Sequence, residues 1–108
     1  MELTVLERLT LLRILPHRGN LTTLRIVRDL ERDLSFSEEE HGALQFQQDG
    51  NVTRWNEGAV PDKDVSIGPK AIEIVVGALE ELDKVGALQM EMIDLCDKFG
   101  YEGKDDSA

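Results

Sequence analysis

The spacing of the apolar residues changes twice along this chain, and that restricts it to folds in which helices and a small antiparallel sheet share one core. Up to Gly42 they recur at helical spacing, and between Leu44 and Trp55 they alternate. From Gly68-Pro69 onward the helical spacing returns. The expected class is α+β: two N-terminal helices, a short acidic helix, a β-hairpin with a possible third strand, and a C-terminal antiparallel helical hairpin.

The boundaries carry their own chemistry. Thr4 and Glu7 form a capping box, each side chain satisfying a backbone donor near the other, so a helix starts there. Val5, Leu9 and Leu12 give its stripe, widened by Leu6, Leu11 and Leu15, and Pro16 stops it. Asn20 or Thr22 caps a second helix that runs to Leu34, with Leu24, Val27, Leu30 and Leu34 facing inward. Ser35 with Glu38, or Ser37 with Glu40, opens a third that Gly42 should end within two turns.

Asp49-Gly50 is a two-residue hairpin signal, and it pairs Gln48 with Asn51, Phe46 with Thr53 and Leu44 with Trp55. Leu44, Phe46, Thr53 and Trp55 then share one face. Val65 and Ile67 suit a third strand. Pro69 stands at the first position of the next helix, where its missing N–H costs nothing, and Gly86 ends it. Gly77 in its middle implies a neighbour packed closely against it. Leu88, Met92, Leu95 and Phe99 line a last helix ending at Gly100.

A chain of 108 residues makes one domain, expected over residues 1–100, with 101–108 a frayed acidic tail. The expected core is Leu6, Leu9, Leu12, Val27, Leu30, Phe46, Trp55, Ile72, Val75, Leu79, Leu95 and Phe99. A single cysteine, Cys96, excludes an internal disulfide. The opening MELTVLERLTLLRIL is interrupted by Glu2, Glu7, Arg8 and Arg13 and lacks a cleavage site, and no apolar run reaches the roughly 18 residues of a membrane span. These features suit a soluble protein of a reducing cytoplasm.

Charge is uneven. Residues 1–34 hold six arginines against five acids, whereas residues 35–108 hold six basic residues against seventeen acids, and the chain totals −10. A field of that sign repels phosphate backbones and anionic lipid and favours basic protein surfaces. Catalytic and cofactor signatures are missing: there is no phosphate loop, nucleophile elbow or HExxH. Adjacent pairs such as Glu80-Glu81 cannot face one another as an acid–base dyad. His41 follows Glu38, Glu39 and Glu40, but metal ligands must converge and consecutive helical residues point in different directions, so no metal site is expected. Cys96 lies between Asp94 and Asp97, an environment that disfavours a thiolate. No cofactor is implied.

Two surface features remain. Arg25, Arg28 and Arg32 follow one another at i, i+3 and i+7 on the second helix, with Arg25–Asp29 and Arg28–Glu31 placed to pair at about 0.2–0.5 kcal/mol each. Glu38, Glu39 and Glu40 crowd the start of the third. The element order is also that of a winged helix, but its recognition helix would then set those three carboxylates against DNA.

The strings LTVLERLTLLRILPHRGNLTTLRIVRDL, LSFSEEE, VTRWN and LEELDKVGAL resemble a set of small proteins encoded by tailed bacteriophages and prophages. The resemblance spans most of the chain from Leu3 to Phe99. It implies a phage setting in a bacterial cytoplasm, and it carries no chemistry and no functional residue. The expected function is a non-enzymatic, acidic protein-interaction module, a phage accessory protein that binds a host or phage protein, with nucleic-acid mimicry as a special case. A winged-helix-like DNA regulator and a self-assembling structural component are the alternatives. A protein partner, no membrane and no direct nucleic-acid binding complete the expectation.

Overall fold

Helix starts in the computed structural model, which describes residues 1–103, follow local chemistry. Strand β1 (Glu2–Leu3) leads into α1 (Val5–Ile14), where Thr4 Oγ1 accepts from the Glu7 amide at 3.1 Å and Glu7 Oε1 accepts from the Thr4 amide at 2.9 Å. Asn20 caps α2 (Leu21–Leu34) through the Thr23 amide at 2.8 Å. Ser37 and Glu40 make the second capping box, which opens α3 (Glu38–Leu44). Strands β2 (Gln47–Asp49) and β3 (Val52–Arg54) form the hairpin, and β4 (Lys63–Asp64) follows. Pro69 opens α4 (Pro69–Lys84) as expected. A 3-10 turn at Met90–Met92 then leads into α5 (Ile93–Phe99), which Gly100 closes in the left-handed conformation.

The class is α+β. Helices α1, α2 and α4 pack on one another and α5 packs on α4. Leu3, Leu11, Leu15, Val27, Leu30, Leu34, Val65, Ala71, Val75, Leu79, Leu95 and Phe99 form the core between them. On α4 the buried residues Ala71, Val75 and Leu79 recur every four positions, the helical face that meets α1 and α2.

Several expectations change. The third helix runs through Gly42 to Leu44, and Gln45 ends it at φ 49°. Leu44 is therefore a fully buried helix residue, not a strand residue. The hairpin turns on Gly50-Asn51, one position later than Asp49-Gly50, and pairs Asp49 with Val52, Gln48 with Thr53 and Gln47 with Arg54. Gly50 at φ 63° is the first central residue, where a mirror-image turn favours glycine. The slip moves each partner by two residues, so it keeps the faces: Phe46 and Trp55 still meet, with ring centroids 6.2 Å apart.

The third strand lies elsewhere too. β4 pairs with β1, Glu2 opposite Asp64 and Leu3 opposite Lys63, making a second two-stranded sheet separate from the hairpin. Leu6 is 36% exposed and Leu9, Leu12, Phe46, Trp55 and Ile72 are only half-buried. α1 carries leucines on several sides, and the side that faces inward is that of Leu11 and Leu15. A Cβ on Gly77 would meet nothing within 4 Å, so the close neighbour expected there is absent. Leu88 precedes the last helix, which starts only at Ile93. Tyr101 is held rather than frayed, its hydroxyl donating to Asp83 Oδ2 at 2.6 Å; residues 104–108 lie outside the described residues.

Candidate functional site

Helix α1 places two very different environments on its opposite sides. Arg8 sits one turn before Leu11, on the inward stripe, and is fully buried. Its Nε donates to Leu34 O at 3.1 Å and its Nη2 to Ser35 O at 2.8 Å. These carbonyls end α2 and have no helical donor of their own, so the guanidinium caps that helix and suits its negative end. Lys63 Nζ donates to the neighbouring Asp33 O at 2.7 Å. Arg8 also grips the Glu40 carboxylate with both terminal nitrogens, at 2.7 and 3.2 Å. The Phe36 ring covers it, with the guanidinium carbon 3.9 Å from the centroid.

The hydrogen bond from Arg8, helped by the Ser37 amide and by Lys63, holds the Glu40 carboxyl down to about 2, against a smaller opposing effect of burial. Glu7 is buried on the same helix, accepting from Lys98 Nζ at 2.6 Å; that ammonium also donates to Glu2 O at 2.9 Å, tying α5 to the chain start. Among the described residues every buried side-chain nitrogen and oxygen has a partner.

From Phe36 an aromatic group runs outward. Phe46 contacts Phe36 at 5.3 Å and His41 at 5.6 Å, edge to face, and Trp55 lies beyond. Trp55 thus has one side on Phe46 and another on a groove of about 900 Å³ along the outer face of α1. Leu6, Leu9, Val52 and Val60 share that groove, and Glu57, Asp62, Glu91 and Arg13 border it. Val52, 54% exposed, and Leu6 are among the large apolar side chains most open to water. Glu57, Asp62 and Glu91 take part in no ion pair among the described residues. A second cleft of about 860 Å³ lies between the end of α1 and α4, floored by Ile14, Ile74, Gly77 and Ala78, and it meets the first at Arg13 and Gln89.

The sequence-derived candidates occupy different places. Glu40 is part-buried with its carboxylate engaged by Arg8, while Glu38 and Glu39 are exposed. Arg25, Arg28 and Arg32 are exposed along α2 as expected, but their pairing differs: Arg28 and Arg32 both lie near Asp29, at 3.7 and 3.8 Å, and Glu31 faces His17 at 3.4 Å. Such solvated pairs contribute little and leave the row only weakly positive.

Cys96 is half-buried, and burial followed by the charges of Asp97 and Asp83 pushes its thiol pKa up. The hydrogen bond to Asp83 pushes the Tyr101 phenol up to about 12. Neither group is poised as a nucleophile or base near neutral pH. Among the described residues no three His, Cys, Asp or Glu side chains are gathered to hold a metal, and no helix is long and apolar enough to cross a membrane.

The Arg8 environment and the α1 groove are the features that reasoning from sequence passed over. Arg8 stands three residues before Leu11 and seven before Leu15, a spacing that was visible but hidden among leucines on every side of α1. The groove draws on residues as far apart as Leu6, Val52 and Glu91, and no local pattern reports it. No family model, curated protein or solved structure matches the chain.

Proposed function

We propose that this chain is a non-enzymatic protein-interaction module whose acidic surface receives a basic partner. The observation that carries this reading is the division among its carboxylates. Glu7 and Glu40 are consumed by internal contacts with Lys98 and Arg8, whereas Glu38, Glu39, Glu57, Asp62 and Glu91 are exposed and form no ion pair among the described residues. With a net charge of −10, the surface attracts basic protein and repels phosphate. The exposed Glu38 and Glu39 at the start of α3 likewise argue against a helix reading duplex DNA. The resemblance to phage proteins supports an accessory role in the cytoplasm of a phage-infected bacterium, with a host or phage protein as the partner.

Affinity capture from infected and uninfected bacterial lysate, washed at low and at high salt, tests the reading. A basic protein retained at low salt and released at high salt is the expected result. Retention of the same protein by a variant with Glu57, Asp62 and Glu91 changed to lysine would count against it.

A further inference from the structure

We propose that the groove along the outer face of α1 docks a basic amphipathic helix supplied by another protein. This deepens the interaction reading above and rests on it. Leu6, Leu9 and Arg13 follow one another at i, i+3 and i+7, a ridge of the kind that packs against a helix, and among the described residues it lines an open groove. The ridge extends from Leu6 to Arg13, about 11 Å at the helical rise, or two turns of a partner helix. Exposed Val52 and the free side of Trp55, from the hairpin segment, line the same groove, so it offers apolar anchors from two parts of the chain.

The border sets the sign of the partner. Glu57, Asp62 and Glu91 lie there in no ion pair among the described residues, with Arg13 the one basic residue of the lining. A helix with apolar residues on one face and lysine or arginine at its flanks satisfies both features. A second copy of this chain does not. It carries the same net charge of −10, and its one basic row, on α2, shares Asp29 between two arginines. Trp55 is the type of side chain that anchors interfaces, and its half-burial leaves it a free face.

Trp55 is the only tryptophan, so its fluorescence reports the groove directly. The probe is a short synthetic helix with leucine on one face and lysine on the other. Two controls accompany it: a serine–lysine peptide of equal charge and a leucine–glutamate helix of equal apolarity. The leucine–lysine helix is expected to shift Trp55 emission and to bind at least roughly tenfold more tightly than either control. Leu6→Lys combined with Val52→Lys, both at exposed positions, should raise its Kd by roughly tenfold or more with the circular dichroism spectrum unchanged.

Equal binding of the serine–lysine peptide would overturn the docking site and leave the acidic-module reading standing. Equal binding of the leucine–glutamate helix, or no binding of either cationic peptide, would overturn both. Unchanged binding by the Leu6→Lys/Val52→Lys variant would place the contact elsewhere. Sedimentation of the chain alone as a dimer that this variant dissolves would give the groove to a second copy instead.

Discussion

The two sides of α1 reverse the usual distribution of side chains. Among the described residues, its inner side buries Arg8 and Glu7, both charged, with every buried side-chain polar atom partnered; its outer side leaves Leu6 part-exposed beside carboxylates that form no ion pair. Solubility demands the opposite arrangement, so each side needs its own reason. Inside, the reason is the end of α2: Leu34 O and Ser35 O need donors, and a guanidinium supplies them while gripping Glu40 of α3. A hydrophobic residue would fill the space but leave those carbonyls bare. Outside, Leu6 and Val52 stand apart from the hydrophobic core of the described residues, and it is to this exposed apolar side that we assign the proposed partner.

The contrast predicts unequal costs on the two sides. The largest belongs to Arg8→Ala, which strands the Glu40 carboxylate and two helix-end carbonyls; a loss of about 3–5 kcal/mol is expected in urea unfolding. Arg8→Lys should recover only part of it, because an ammonium cannot form the two-pronged contact with Glu40.

The same contact gives a pH signature. Glu40 is held at about 2 in the folded chain against an ordinary 4.5, so its contribution is complete above that ordinary value and is lost as pH falls toward 2. Unfolding midpoints measured across that window should fall for the natural chain and fall less for Glu40→Gln.

Trp55→Ala comes next. The ring is half-buried, so about 2 kcal/mol is expected, below the full cost of a core tryptophan. A loss near the full value would place Trp55 in the core and leave the outer groove without an anchor.

Gly77→Ala should act in the other direction. The site is an exposed helix interior with open space at the Cβ, and the change should stabilise by about 0.5–1 kcal/mol in thermal unfolding. The smallest effect is assigned to Leu6→Lys, within about 0.5 kcal/mol of the natural chain, because the residue is exposed and lies outside the hydrophobic core. A large loss there would erase the distinction between the two sides of α1.

What was legible in the sequence followed chemical range. Thr4 with Glu7, Asn20, Ser37 with Glu40, Pro16, Pro69 and Gly100 act within one turn of chain, and the helices begin or end there. The hairpin faces were legible because alternation survives a two-residue slip, whereas the partners were not, because Asp49-Gly50 and Gly50-Asn51 both suit a tight turn. The pairing of β1 with β4 joins residues some sixty positions apart and leaves no local mark. For the candidate site, Arg25, Arg28 and Arg32 were correctly placed on an exposed face, but Glu40 was read as surface charge when its partner, Arg8, stands thirty-two residues earlier. Burial of an arginine depends on what the rest of the fold brings to it, and α1 alone does not determine that.

The most direct test is exchange of the arginine side-chain Nε–H protons with water, followed by nuclear magnetic resonance at neutral pH. Arg8 Nε–H, bonded to Leu34 O and fully buried, should persist as a slowly exchanging signal, while those of the exposed Arg25, Arg28 and Arg32 are lost to rapid exchange. An Arg8 signal that exchanges as fast as that of Arg32 would contradict the buried charge, and with it the contrast between the two sides of α1.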